Sequence, residues 1–169
     1  MNQNSYKVSI TKITDHSNLS DCLSVISNSF LTVAKDYNIT KDNCPSYAAF
    51  RTINDLDNML NSGIDFYGLY ENNKQAGFVC MKKNDDNTYI LGLLSVLPEN
   101  RHKGYGKALI DYIFNEVKIL GGHKVVIWLM NENDILKKWY INYGFSETNI
   151  RKSEGMPFSI CDMEKVIDY

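Results

Sequence analysis

The stretch Leu94–Leu109, LSVLPENRHKGYGKAL, decides how the chain is read. It opens inside the apolar run Thr88–Leu97 (TYILGLLSVL). Such near-continuous hydrophobicity suits a central strand covered on both faces. A loop with Arg101, His102, Lys103, Gly104, Tyr105 and Gly106 follows, and then a helix with Leu109, Ile110, Ile113, Phe114, Val117 and Leu120 on one face. At a helix start several backbone N–H groups lack intrahelical partners and carry partial positive charge. Glycine lets a bulky anion approach that backbone without a Cβ in the way. Arg101, His102, Lys103 and Lys107 add positive or titratable charge. Together these features describe a pyrophosphate cradle. Two other phosphate motifs fit less well. A P-loop needs Lys-Ser or Lys-Thr after its glycine, whereas Gly106 is followed by Lys107-Ala108. The dinucleotide fingerprint needs a third glycine where Leu109 stands.

Outward from this stretch, periodicity predicts the remaining elements. Lys7–Ile13 alternates polar and apolar residues and reads as a strand. Leu19, Leu23, Ile26, Phe30 and Val33 mark a helix, with Asp15 or Ser17 as its cap. A second helix is expected from Pro45 to about Gly63, carrying Tyr47, Phe50, Ile53, Leu56 and Leu60. Asp65–Tyr70 and Gln75–Lys82 read as a hairpin around Glu71–Lys74. Beyond the central helix, which Gly121 and Gly122 end, Lys124–Met130 is an apolar strand and Asp134–Tyr143 a short helix closed by Gly144. Ser146–Arg151 and Phe158–Glu164 supply two more strands around Glu154-Gly155. The order is β-α-α-β-β-β-α-β-α-β-β, with a mixed sheet and one right-handed parallel crossover from Leu91–Val96 to Val125–Met130. Ligands in such sheets favour the carboxyl ends of strands where neighbouring connections diverge.

Composition narrows the function classes. The chain has 169 residues, 44% hydrophobic and 12% aromatic, which excludes disorder as the main state and is enough for one domain over 1–169. No apolar run approaches the ~18 residues that cross a bilayer. The net charge of −2 argues against a general nucleic-acid binder. Cys22, Cys44, Cys80 and Cys161 are far apart, and His16, His102 and His123 are scattered, so neither a zinc site nor any other metal site is expected. Four reduced packing thiols and an amino-terminal MNQNSYKVS without a signal-like apolar stretch point to a cytoplasmic protein. The abundance of Asn, Lys and Ile suggests, by association alone, an AT-rich bacterial genome.

The pattern L-x-V-x-P-E-x-R-x-K-G-x-G-K-A-L over 94–109 resembles the acetyl-CoA-binding motif of the GNAT superfamily of N-acetyltransferases. The core of that signature, R/Q-x-x-G-x-G/A, is matched by Arg101, Gly104 and Gly106. A second block agrees independently: Asn133, with Tyr140 in WYINYGF (139–145), resembles the family's N…L-Y-x-x-x-G-F segment. Element order and length extend the resemblance over nearly the whole chain.

The resemblance implies a mixed α/β fold, the acyl-CoA N-acyltransferase fold, in which two central parallel strands splay apart. It implies acetyl-CoA, or coenzyme A as product, held by the main chain of Leu94 to Val96 and by N–H groups of His102, Lys103, Gly104, Tyr105, Gly106 and Lys107, beside Arg101. An N–H of the strand would polarise the thioester carbonyl. Tyr140 matches the tyrosine that protonates the departing thiolate, although an aromatic residue on a short helix also serves as core. Asn133 matches a cofactor-contacting asparagine and equally suits the N-cap of the helix at Asp134, with Asn131 as a fallback. Many relatives carry a glutamate base where this chain has Ile90. A lysine-like amine (pKa ~10.4) is mostly protonated at neutral pH, so a base is still needed. Tyr89, Glu71, His123 and Glu154 are substitutes without a positional argument, and the base stays unassigned.

The acceptor pocket would draw on Tyr37, Tyr47, Phe50, Tyr67, Met156, Pro157 and Phe158, with Asp55, Asp57 and Glu154 nearby in sequence. An aromatic and acidic lining of that kind suits an amine of a small molecule or peptide. The expectation is therefore an N-acetyltransferase with an amine acceptor, no nucleic-acid or membrane partner, and a homodimer by family habit. The rival is a non-catalytic acyl-CoA-binding sensor.

Overall fold

Strands with apolar residues on both sides need cover on both sides, and the chain supplies it with two pairs of helices. The structure is a computed structural model that describes residues 7–85 and 87–167. The expected absence of a signal segment over 1–9 therefore lies, for residues 1–6, outside the described residues. The elements are β1 (Val8–Ile13), α1 (Leu19–Asp36), α2 (Ile53–Asn61), β2 (Asp65–Glu71), β3 (Lys74–Lys83), β4 (Thr88–Val96), α3 (Tyr105–Ile119), β5 (Lys124–Met130), α4 (Asp134–Asn142), β6 (Ser146–Lys152) and β7 (Ser159–Val166). Short 3₁₀ turns occupy His16–Asn18, Ala48–Phe50 and Pro98–Asn100. The strands form one seven-stranded sheet in the order β1-β2-β3-β4-β5-β7-β6. All neighbours are antiparallel except β4 and β5. The predicted element order and mixed sheet are both present.

Period-2 alternation sorts the side chains between the two faces. Phe66 and Phe78 pack with Leu19, Ile26 and Leu56 under α1 and α2, their rings edge-on at 5.0 Å. Their chain neighbours Tyr67 and Val79 point the other way, to Leu109, Ile113, Tyr140 and Phe145 under α3 and α4. The β2–β3 hairpin turns on Asn72 and Asn73 with φ of 50° and 65°, the left-handed pair that a two-residue hairpin turn demands.

The second helix starts later than Pro45. Thr52 Oγ1 accepts from the Asp55 N–H, and the Asp55 carboxylate accepts from the Thr52 N–H at 2.7 Å. This capping box sets the start of α2 at Ile53 and leaves Arg51 extended in the entry loop (ψ 156°). Asp15 caps the short turn at His16–Asn18 through the Ser17 N–H (2.8 Å), and Asn18 precedes α1. All four cysteines are free and buried.

Candidate active site

The parallel pair at the centre of the sheet is paired for only three residues: Thr88 with Lys124, Tyr89 with Val125 and Ile90 with Val126. Beyond Ile90 the two strands part, so the ladder groups on that edge of β4 face an opening. A bulge in β4 accompanies the divergence. The β3–β4 register shifts between Phe78 and Cys80, where Phe78 faces Ser95 but Cys80 faces Gly92. Leu93 takes φ of 52°, a conformation that L-residues with bulky side chains avoid. One extra residue on β4 bends the strand and sharpens its twist. The bulge is where the strand turns away from β5.

A cavity of about 280 Å³ fills this opening. Leu91 to Leu94 of β4 form one wall and Ile127 to Met130 of β5 the other. Phe30 and Val33 of α1 close it, together with the 44–51 loop, Met156 and Phe158 of the β6–β7 connection, and Asn133, Leu136 and Tyr140 at α4. Leu94 therefore lies on the cavity. Val96 lies farther along β4, opposite Gly77 of β3.

Past the end of β4 the chain makes the Pro98–Asn100 turn and enters α3 through Gly104, whose φ of 80° only glycine adopts without strain. Among the described residues, no hydrogen-bond partner is found for the N–H groups of His102, Lys103, Gly104, Gly106 and Lys107. The helix ladder begins with Ala108 N–H to Gly104 O at 3.0 Å. A Cβ on Gly104 would meet nothing within 4 Å, so the loop is open toward solvent there. On Gly106 a Cβ would touch only the Trp139 ring, at 3.6 Å.

The side chains of this loop are occupied in holding it. Arg101 Nη2 donates to the Ser29 carbonyl (3.0 Å) and Thr32 Oγ1 (2.9 Å) on α1. The Glu71 carboxylate, at the end of β2, accepts from Tyr105 OH (2.5 Å), Asn100 Nδ2 (2.8 Å) and Lys103 Nζ (2.9 Å). The Tyr105 hydroxyl, then Lys103, hold the Glu71 carboxyl below its ordinary value. Sequence reasoning weighed Glu71 only as a base, whereas its place is as an anchor of the loop. Lys107 pairs with Asp111 one turn on, at 2.6 Å. Of the basic side chains read as adding charge here, Arg101 and Lys103 thus hold the loop and Lys107 pairs within α3, while the main chain presents the open donors.

Tyr140 lies on α4, 5% exposed. Its ring packs edge-on against Trp139 (4.9 Å) and Phe145 (5.3 Å). Among the described residues its hydroxyl has no hydrogen-bond partner, although the residue lines the cavity. Burial raises the phenol above its ordinary value, so the proton stays on oxygen. Asn133 caps α4, its Oδ1 accepting from the Leu136 N–H at 3.1 Å, and it borders the cavity too. Both roles weighed for it from sequence are compatible with this position.

Of the residues expected around the acceptor, Tyr47, Met156 and Phe158 line the cavity. Tyr47 contacts the rings of Phe30, Phe50 and Phe158. Tyr67 is core, Pro157 is exposed, and Tyr37 donates from its hydroxyl to the Glu132 carbonyl. The acidic lining is not there. Asp55 serves the capping box, Asp57 meets His16 at 2.5 Å, and Glu154 is exposed. Tyr89, Glu71, His123 and Glu154, the substitutes for a base, all lie outside the lining. Residues that sequence reasoning passed over do line it: Phe30, Trp128 and Arg51. The Thr52-x-x-Asp55 box was the available signal for Arg51, since it puts the preceding residue in a loop.

Among the described residues, no group of His, Cys, Asp or Glu side chains is placed to hold a metal ion, and no helix is long and apolar enough to cross a membrane.

Comparison with known proteins agrees with this geometry. A family model described as an acetyltransferase (GNAT) domain matches residues 62–147, just over half of the chain. Among solved structures, the fold is similar to the ribosomal-protein-S18-alanine N-acetyltransferase from Escherichia coli, with TM-score 0.76, 16% identity and 96% of each chain covered. It is similar to the PaiA N-acetyltransferase from Thermoplasma acidophilum in complex with coenzyme A, with TM-score 0.73, 20% identity and coverage of 95% of this chain and 99% of that one. It is also similar to the spermidine N-acetyltransferase from Vibrio cholerae in complex with CoA and spermine, with TM-score 0.70, 16% identity and 95% of each chain covered.

Proposed function

This chain belongs to the GNAT acetyltransferase family, and we propose that residues 1–169 form one N-acetyltransferase domain that moves an acetyl group from acetyl-CoA directly to a primary amine. The observation that carries the reading is what lies on and beyond β4: the gap where it parts from β5, with Tyr140 in the cavity lining, and past its end the amides before α3 that have no partner among the described residues.

The residues present fit acetyl-CoA. Open N–H donors at a helix entry suit a pyrophosphate, and they need no reorganisation when it arrives. The diverging edge of β4, from Leu94 to Val96, offers main-chain groups in strand register to an amide-bearing pantetheine arm. Bound acetyl-CoA supplies an activated acyl group. The protein's part is then positioning, a dipole and a proton. Holding the amine against the thioester in one small cavity replaces a bimolecular encounter by a pre-aligned one. A β4 N–H near the bulge polarises the thioester carbonyl. Tyr140 would donate its phenolic proton toward the departing sulfur as the amine nitrogen takes the acyl carbon, and the proton shed by that nitrogen would pass to solvent or back to the phenolate. With no partner among the described residues, that hydroxyl would break no hydrogen bond to them in doing so. Arg101 and Glu71 act through the loop they brace.

The test is release of free thiol from acetyl-CoA with a panel of primary amines, beside calorimetry with coenzyme A. Micromolar cofactor binding together with amine-dependent thiol release is the expected result. Tight binding with no release across the panel would favour a sensor of acyl-CoA instead.

A further inference from the structure

The cavity holds a positive charge that makes no ion pair among the described residues. Arg51 lines it, between the 48–50 turn and the Thr52 cap of α2. Its Nε is buried and has no hydrogen-bond partner. Among the described residues Arg51 makes no ion pair, and it is the single Lys, Arg, Asp or Glu in the cavity lining. The nearest acidic residue in sequence, Asp55, feels the Arg51 charge but takes its hydrogen bonds from the Thr52 N–H and hydroxyl. The rest of the lining is mostly apolar and aromatic, including Tyr47, Met156, Phe158 and Trp128, still 54% exposed, with Ser46 and Asn133 as uncharged polar residues.

An unanswered guanidinium donor buried among apolar groups is costly unless an anion meets it. Its planar fork matches a carboxylate in two parallel hydrogen bonds. We propose that the acceptor is a small amine that also carries a carboxylate and an apolar or aromatic side chain, an amino-acid-like molecule whose carboxylate is received by Arg51. This deepens the transferase reading and rests on it. It excludes polyamines, whose extra ammonium groups would face Arg51 and find no carboxylate in the lining. The aromatic walls select the side chain by burial, and the fork orients the amine by fixing the carboxylate next to it.

The experiment uses matched acceptors with and without the carboxylate: L-phenylalanine and phenethylamine, L-tryptophan and tryptamine, L-leucine and isopentylamine, with spermidine as a further arm. Thiol release is measured for the wild type, Arg51→Met and Arg51→Lys. Binding of N-acetyl-L-phenylalanine and of N-acetylphenethylamine is measured by calorimetry, which needs no turnover. The wild type is expected to prefer the carboxylate member of at least one pair. For that member Arg51→Met should lower kcat/KM by about 10- to 10²-fold, the range for a hydrogen-bonded charged contact. Its kcat/KM for the partner amine and its KM for acetyl-CoA should stay within about threefold, the small change expected where no charged contact is lost. Arg51→Lys keeps the charge without the fork and should recover only part of the loss. Equal use of both members of every pair, spermidine as the best acceptor, or an Arg51→Met defect confined to acetyl-CoA would each overturn the proposal. Product binding through Arg51 without any turnover would remove the transferase reading and leave the carboxylate site standing. Turnover without a carboxylate preference would do the reverse.

Discussion

Replacing Tyr140 by Phe removes one oxygen and nothing else, and the structure separates its effect on stability from its effect on rate. The ring keeps its edge-on contacts with Trp139 and Phe145. The lost hydroxyl has no hydrogen bond among the described residues, so folding should lose little, within about 1 kcal/mol either way. Truncation to alanine would instead empty a core position and cost about 3–5 kcal/mol, as for other large aromatic residues. The rate should respond differently. A positioned general acid contributes about 10²–10⁴-fold, or roughly 3–5 kcal/mol at 1.36 kcal/mol per decade. The prediction for Tyr140→Phe is thus a kcat lower by about 10²-fold or more, an unchanged midpoint in urea, and coenzyme A affinity within about threefold. Initial rates of thiol release, urea titration and calorimetry read the three quantities. Because burial raises the Tyr140 phenol above its ordinary value of 10.0, the donor stays protonated throughout the working range. The wild-type rate should therefore show no alkaline loss assignable to this group below about pH 10. Wild-type turnover in the Phe variant would refute the assignment. A loss of kcat matched by an equal loss of stability would show a packing role instead.

Three further outcomes are expected. Gly104→Asp puts a carboxylate at the open cradle and an L-residue at φ of 80°, so calorimetry should find no coenzyme A binding; Gly104→Ala carries the strain alone, about 1–2 kcal/mol, and should still bind. The Glu71 carboxyl sits below its ordinary 4.5 because Tyr105 and Lys103 bond to its charged form. Its contribution to stability is present above the ordinary value and disappears as pH falls through the depressed one. Melting temperatures of wild type and Glu71→Gln should accordingly differ at pH 6 and draw together as pH falls below the ordinary carboxylate range; a gap that does not narrow at all on acidification would contradict this. Burial raises the Cys22 thiol to about 11 and the Cys80 thiol to about 12, so a thiolate-selective reagent at pH 8 should label them only upon unfolding, and prompt labelling of the folded protein would count against their buried placement.

The local signals along the chain were legible because each is contiguous. Strand alternation at Val8–Ile13, the apolar run of β4, the glycine at the entry to α3 and the Gly144 stop of α4 are decided by neighbours a few residues away. The Leu94–Leu109 stretch belongs to this class, which is why the cradle and the family resemblance could be read before any coordinates. The start of α2 belongs to it too. Pro45 is a permissible first-turn residue, but the reciprocal Thr52–Asp55 bonds are the stronger local device.

Other features needed the tertiary structure, because they depend on groups far apart in sequence. That β7 lies between β5 and β6 follows from sheet pairing, not from any run of residues. The bulge at Leu93 puts a bulky side chain at φ of 52°, where propensity disfavours it, and it coincides with the register shift against β3 and the parting from β5. Glu71 turned from a candidate base into a brace because the fold brings it to Lys103 and Tyr105, more than 30 residues away. Arg51 became the charge of the cavity for the same reason. Sequence supplies the donors and the periodicity, but which donors remain unanswered is settled only when every other group has found its partner.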